Sequence, residues 1–114
     1  MSNFEKLRRQ MVERQIASRG VSDPAVLDAM RTVPRQEFVP PEIRDRAYDD
    51  GPLPIGSGQT ISQPFIVASM IESLRLKPHD RVLEIGVGSG YAAAVIAEIV
   101  EEVFGIERHE ELAV

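Results

Sequence analysis

The chain has 114 residues, of which 43% are hydrophobic and 27% charged, with no cysteine and a formal net charge of −5. Such a length allows one small domain, such a composition excludes a disordered chain, and the missing cysteines exclude a disulfide framework or a thiolate metal site. No apolar run approaches the roughly 20 residues that span a bilayer, the N-terminus lacks a signal-peptide core, and the acidic balance argues against a nucleic-acid backbone as partner; a cytoplasmic location is expected.

Phe4, Leu7, Met11, Val12 and Ile16 recur close to a 3.6-residue period and predict an amphipathic first helix that Gly20 can close. The basic residues between them, Lys6, Arg8, Arg9, Arg14 and Arg19, read as a solvated helix face rather than an RNA-binding patch. Ser22 or Asp23 can cap a second helix with Pro24 in its first turn, Val26, Leu27, Met30 and Val33 as its apolar stripe, and Pro34 as its stop. Pro40 and Pro41 open a short helical piece through Ala47. Residues 48–63 carry Gly51, Pro52, Pro54, Gly56 and Gly58, so no regular element is expected there. A long irregular segment inside a small domain is more often functional than decorative.

A third helix is expected from Pro64 to about Leu74, with Val67, Met70, Ile71 and Leu74 facing inward. Lys77-Pro78-His79-Asp80 is a turn, and Arg81 to Ile85 reads as a short buried strand. A glycine turn follows, then a helix from Tyr91 to about Val100, a second strand at residues 103–106, and the start of a further helix at Glu110-Glu111-Leu112. Strand, turn, helix and strand in that order make a parallel βαβ unit and an α/β fold. His79 and His109 read as surface residues, and no metal site is proposed.

Most of the chemistry resides in Glu84-Ile85-Gly86-Val87-Gly88-Ser89-Gly90. Glycines at the carboxyl end of a parallel strand let the backbone approach a ligand closely, beside the N-terminus of the next helix. Glu107 follows the next strand, 21 positions after Gly86, where an acid can accept hydrogen bonds from ribose hydroxyls or simply face solvent. A dinucleotide fingerprint would place glycine at 91, where Tyr91 stands, and a carboxylate at Glu84 would repel a pyrophosphate. A carboxylate there suits a cationic ligand. The pattern acid-x-Gly-x-Gly-x-Gly resembles the first motif of Rossmann-like methyltransferases, which use S-adenosyl-L-methionine. A tight turn with no ligand is the bland alternative.

Upstream, Asp50-Gly51-Pro52-Leu53-Pro54-Ile55-Gly56-Ser57-Gly58-Gln59-Thr60-Ile61-Ser62-Gln63-Pro64 resembles the signature of protein-L-isoaspartate O-methyltransferases. Val33-Pro34-Arg35-Gln36-Glu37-Phe38-Val39-Pro40 and the stretch from Arg81 to Tyr91 are similar to the same family, in the same order, so the resemblance covers about residues 5–114. It implies N-terminal helices followed by the start of a Rossmann-like methyltransferase parallel sheet: a helical region 1–77 with an active-site loop 48–63, then the first βαβ of the cofactor-binding core at 78–114. The implied activity is methylation of the free α-carboxylate of L-isoaspartyl residues in damaged proteins, which starts repair through a succinimide.

Carried over by position, Ser62 matches the family's catalytic serine. Gln59, Thr60, Ile61 and Ser62 would lie along S-adenosyl-L-methionine, and Ile55, Thr60 and Ser62 would meet the isoaspartyl substrate. Glu84, Gly86, Gly88, Ser89 and Gly90 would hold the methionine end of the donor, Glu107 its ribose, and Arg108 its adenine through main chain. On spacing alone Ser62 reads first as a helix N-cap, and the resemblance reverses that order. One departure is Ser57, where bacterial members often carry histidine. Such a family also implies strands that pair with the other edge of the first one. The chain is therefore expected to be part of a longer protein, weakly active or inactive alone, and a monomer at full length. A methyltransferase acting on RNA or a small molecule, and a non-catalytic donor-binding module, are the competing readings.

Overall fold

The computed structural model of the chain describes residues 2–106. Helix α1 (Asn3–Met11) starts at Ser2, whose hydroxyl accepts the Glu5 N–H at 3.1 Å. The chain then widens into a π-type turn (Val12–Ile16), tightens into a 3₁₀ turn (Ala17–Arg19) and ends on Gly20 at φ +107°. The widened turn places Met11, Val12 and Ile16 together in the core, whereas Leu7, expected on the same stripe, is 39% exposed. Helix α2 (Pro24–Thr32) is capped by Asp23, not Ser22, through the Ala25 N–H. The Ser22 and Asp23 N–H groups instead donate to the Glu72 carboxylate, both at 2.8 Å, which ties α2 to the later helix. Val33 turns extended before Pro34, and two short 3₁₀ turns follow (Arg35–Phe38 and Pro41–Arg46).

Residues 48–63, expected to be irregular, contain an antiparallel hairpin of β1 (Leu53–Gly56) and β2 (Gln59–Ile61). The glycine and proline residues that argued against a strand are its turn chemistry. Ser57 at φ +53° and Gly58 at φ +69° supply the two left-handed positions of a type I′ loop. Leu53 faces Ile61, both are buried, and the pair fastens the hairpin to the core. Between the pairs Pro54↔Thr60 and Gly56↔Gln59, Ile55 is a bulge residue without an opposite number.

Helix α3 (Pro64–Ser73) leads through the turn at Asp80 into β3 (Arg81–Ile85), α4 (Tyr91–Ala97) and β4 (Glu102–Ile106). Strands β3 and β4 are parallel, with Arg81 beside Glu102 and Ile85 beside Ile106. The expected βαβ unit is present. The core lies where α2 meets α1, α3 and α4, and it is built on Met30, Val26, Val67, Ala68, Ile71, Tyr91 and Val95.

Two expectations about burial are corrected. Met70 and Leu74, expected to face inward, are 65% and 56% exposed. Strand β3, expected to be buried, shows Leu83 and Ile85 at 60% and 77% exposure, with Phe104 of β4 beside them. Val82 and Glu84 of β3 are half-buried, so among the described residues the sheet is covered on one face only. Parallel sheets ordinarily carry cover on both. No helix among the described residues is long and apolar enough to cross a membrane.

Candidate functional site

At the carboxyl end of β3 the chain makes the expected glycine turn. Gly86, Gly88 and Gly90 stand at φ +76°, +60° and +86°, backbone that a side chain would strain, which accounts for their alternation. The turn closes through the Gly90 N–H to the Val87 carbonyl at 3.0 Å. Ser89 accepts the Tyr91 N–H at 3.2 Å, so it fixes the start of α4 while its own O–H stays available as a donor.

Glu84 stands on β3 two residues before Gly86. Its Oε1 atom is buried with no hydrogen-bond partner among the described residues, and burial raises its carboxyl pKa above the ordinary carboxylate value. A half-buried carboxylate with one oxygen shielded from water and unpartnered suits a cationic ligand. The same atom fits neither a pyrophosphate nor any other anion.

Ser62 and Glu84 both line a groove of about 410 Å³, together with Ile85, Met70 and Ile96. The structure thus brings together the two residues on which the sequence reading placed the most chemistry. Ser62 is not the N-cap of α3; Gln63 holds that position, and no side chain caps the helix. The exposed Ser62 side chain is therefore not spent on the helix start.

The other expected site residues divide. Ile55, the bulge residue, stands over the glycine turn: a Cβ on Gly88 would lie 3.7 Å from its Cδ1. Gln59 is half-buried and Thr60 exposed on β2, whereas Ile61 is turned into the core and can offer a ligand only its main chain. Gly86, Gly88, Ser89 and Gly90 form the turn beside the groove and are not among its lining. Glu107, Arg108, His109 and the helix expected at Glu110 lie outside the described residues.

The hairpin segment is latched at both ends. Asp50 accepts a hydrogen bond from Gln63 Nε2 at 2.7 Å and forms a two-pronged ion pair with Arg19. The Arg19 and Gln63 hydrogen bonds hold the Asp50 carboxyl down at about 2, against an ordinary 3.8. A depressed carboxyl stabilises the fold fully above its ordinary value and loses that contribution as pH falls toward 2, because the unfolded chain then binds more protons. Melting temperature should accordingly fall between about pH 4 and pH 2, and Asp50→Asn should flatten that fall in a calorimetric pH series.

Three residues important to this geometry escaped the sequence reading as site residues. Arg35 and Asp50 work through partners far away in the chain. Gly105 could have been found, because a lone glycine inside a strand signals close approach of something else. A Cβ at Gly105 would sit 2.4 Å from Cγ2 of Val87, which lies within the glycine turn. Valine is stiff at χ1 and cannot easily give way. Gly105→Ala should lower stability by about 1–3 kcal/mol, the usual cost of overpacking. Adding Val87→Ala should recover most of the loss, and denaturant melts of the two single variants and the double variant measure this.

The family model described as Protein-L-isoaspartate(D-aspartate) O-methyltransferase (PCMT) matches residues 6–114. Among curated relatives, the protein-L-isoaspartate O-methyltransferase of Methylorubrum extorquens is 64% identical over 92% of this chain and 46% of its own length. Protein-L-isoaspartate O-methyltransferase 1 of Rhodopseudomonas palustris is 62% identical over 98% of this chain and 46% of its own. The chain thus spans about half the length of these relatives. A solved structure described as a beta-aspartate methyltransferase (PCMT) from Plasmodium falciparum in complex with S-adenosyl-L-homocysteine superposes with a TM-score of 0.78 at 31% identity. That match covers 92% of this chain and 50% of the other. The glycine turn, the hairpin signature and these matches agree, and the chain belongs to the protein-L-isoaspartate(D-aspartate) O-methyltransferase family.

Proposed function

We propose that the full-length protein methylates the free α-carboxylate of L-isoaspartyl residues in damaged proteins, using S-adenosyl-L-methionine, and so initiates repair through a succinimide. The observation that carries this reading is that Ser62 and Glu84 line one groove, inside a chain of this family. A hydroxyl suits an anionic acceptor, and a half-buried carboxylate with one oxygen unpartnered suits a cationic donor.

When bound, S-adenosyl-L-methionine supplies an electrophilic methyl group on a positively charged sulfur. Glu84 would hold its cationic end, with the main chain of Gly86, Gly88, Ser89 and Gly90 alongside. Gln59 to Ser62 would flank it on the hairpin side, and Glu107 and Arg108 would complete the set. An α-carboxylate is already ionised at neutral pH, so no general base is required. The protein's task is orientation. Ser62 donates a hydrogen bond to the carboxylate and forms no covalent bond to it; a methylated or acylated Ser62 recovered by mass spectrometry would contradict this role.

In this reading residues 1–114 are the N-terminal part of a single methyltransferase domain whose remainder covers the exposed sheet face of Leu83, Ile85 and Phe104. The full-length protein works as a cytoplasmic monomer on isoaspartyl proteins and peptides. The test is transfer of labelled methyl to an isoaspartyl peptide, by this chain and by a version extended to the length of its relatives. The extended version should label the isoaspartyl peptide and spare the aspartyl isomer, with far less turnover by the chain alone. A folded, donor-binding extended protein that labels neither peptide would refute the proposal.

A further inference from the structure

Arg35 is fully buried, yet it makes no ion pair among the described residues. Its Nε donates to the Ala47 carbonyl at 2.6 Å and its Nη2 to the Ser62 carbonyl at 2.9 Å. The guanidinium lies 4.9 Å from the centre of the Tyr91 ring, and its Nη1 is buried with no hydrogen-bond partner among the described residues. Tyr91 is itself buried and opens α4 directly after the glycine turn.

A buried cation without a carboxylate is a costly way to fill space, and an apolar side chain of similar volume ordinarily fills it more cheaply. The partners indicate what the cost secures. One rigid, planar fork joins the main chain of Ser62, at the end of the hairpin, to the first residue of the helix that follows the glycine turn. These two segments have no strand pairing between them, because the hairpin and the parallel pair are separate sheets. Arg35 is permanently charged, and among the described residues no acid pairs with it.

We infer that Arg35 is a positioning residue: it sets Ser62 against the glycine turn and, through its charge, favours an anionic acceptor in the groove. This rests on the functional reading above and adds a residue to it. Lysine keeps the charge but cannot span two carbonyls while lying flat on an aromatic ring. Methionine keeps much of the volume and neither property.

The two variants therefore separate the two parts of the role. In the extended protein, Arg35→Lys and Arg35→Met should fold and bind S-adenosyl-L-homocysteine within about twofold of wild type, since Arg35 meets the hairpin only at the Ser62 carbonyl and does not line the groove. Both should lose turnover of an isoaspartyl peptide by at least about 10-fold, the order of effect of a small misplacement of a reacting group. KM for the peptide should rise with Arg35→Met and stay near wild type with Arg35→Lys. Folded variants with wild-type kcat and KM overturn the inference. If both variants fail to fold, Arg35 is a stability element and the inference is equally overturned. If the wild-type extended protein binds donor but does not methylate isoaspartyl peptides, the functional reading itself falls, and the Arg35 role falls with it.

Discussion

Ser62→Ala is expected to lower turnover of an isoaspartyl peptide by about 100-fold, the usual effect of removing one well-placed hydrogen-bond donor from a reacting group. Thermal stability and donor affinity should hardly change. The structure supplies the reason for that second half: Gln63 and not Ser62 occupies the N-cap of α3, so no cap of about 1 kcal/mol is lost with the hydroxyl. The Ser62 carbonyl remains fixed by Arg35 whatever the side chain, so the variant removes the hydroxyl and leaves the backbone in place. Steady-state kinetics, a melt and a donor titration on the same preparation decide the matter. A fall in stability without a fall in kcat would make Ser62 a structural residue.

Glu84→Gln should act in opposite senses on binding and stability. A hydrogen bond to a charged group contributes about 1.5–3 kcal/mol, so affinity for S-adenosyl-L-homocysteine should drop roughly 10- to 150-fold. The ligand-free protein should melt later than wild type at neutral pH. Burial raises the Glu84 carboxyl, which means that the folded state disfavours its charged form. The associated penalty is absent below the ordinary carboxylate value and fully present above the raised one, so stability is lost as pH rises through that window. Glutamine, which never ionises, removes the penalty. Calorimetric titration of the ligand and a melt of the apo variant test the two halves separately, and a variant that is both weaker in binding and earlier in melting would indicate a structural acid.

Much of the fold was legible because its determinants are local. Asp23 before Pro24, Gly20 after a periodic run and the spaced glycines at 86–90 each act within a few residues, and each stands where its chemistry requires. The hairpin escapes the sequence because the glycines and prolines, Gly56 and Gly58 among them, count as breakers, whereas left-handed turn positions are what a tight hairpin demands. Burial was misjudged at Met70, Leu74, Leu83 and Ile85 because a residue's pattern states which face is apolar, not whether anything lies against it. Within the candidate site, the spacing of Glu84 before the glycines and the family resemblance around Ser62 point to two residues that line one groove. Arg35 is not legible, since its partners are carbonyls 12 and 27 positions away and carbonyls carry no sequence signal.

The bulge at Ile55 has a consequence for how this segment can change over time. Side chains on a strand alternate sides, and the extra residue resets that alternation between Leu53, which is buried, and the turn at Ser57. Losing or gaining one amino acid there would exchange inside for outside along the whole ribbon, lifting Leu53 from its seat or swinging Ile55 off Gly88. Insertions and deletions are therefore excluded from this stretch even where single replacements would fit.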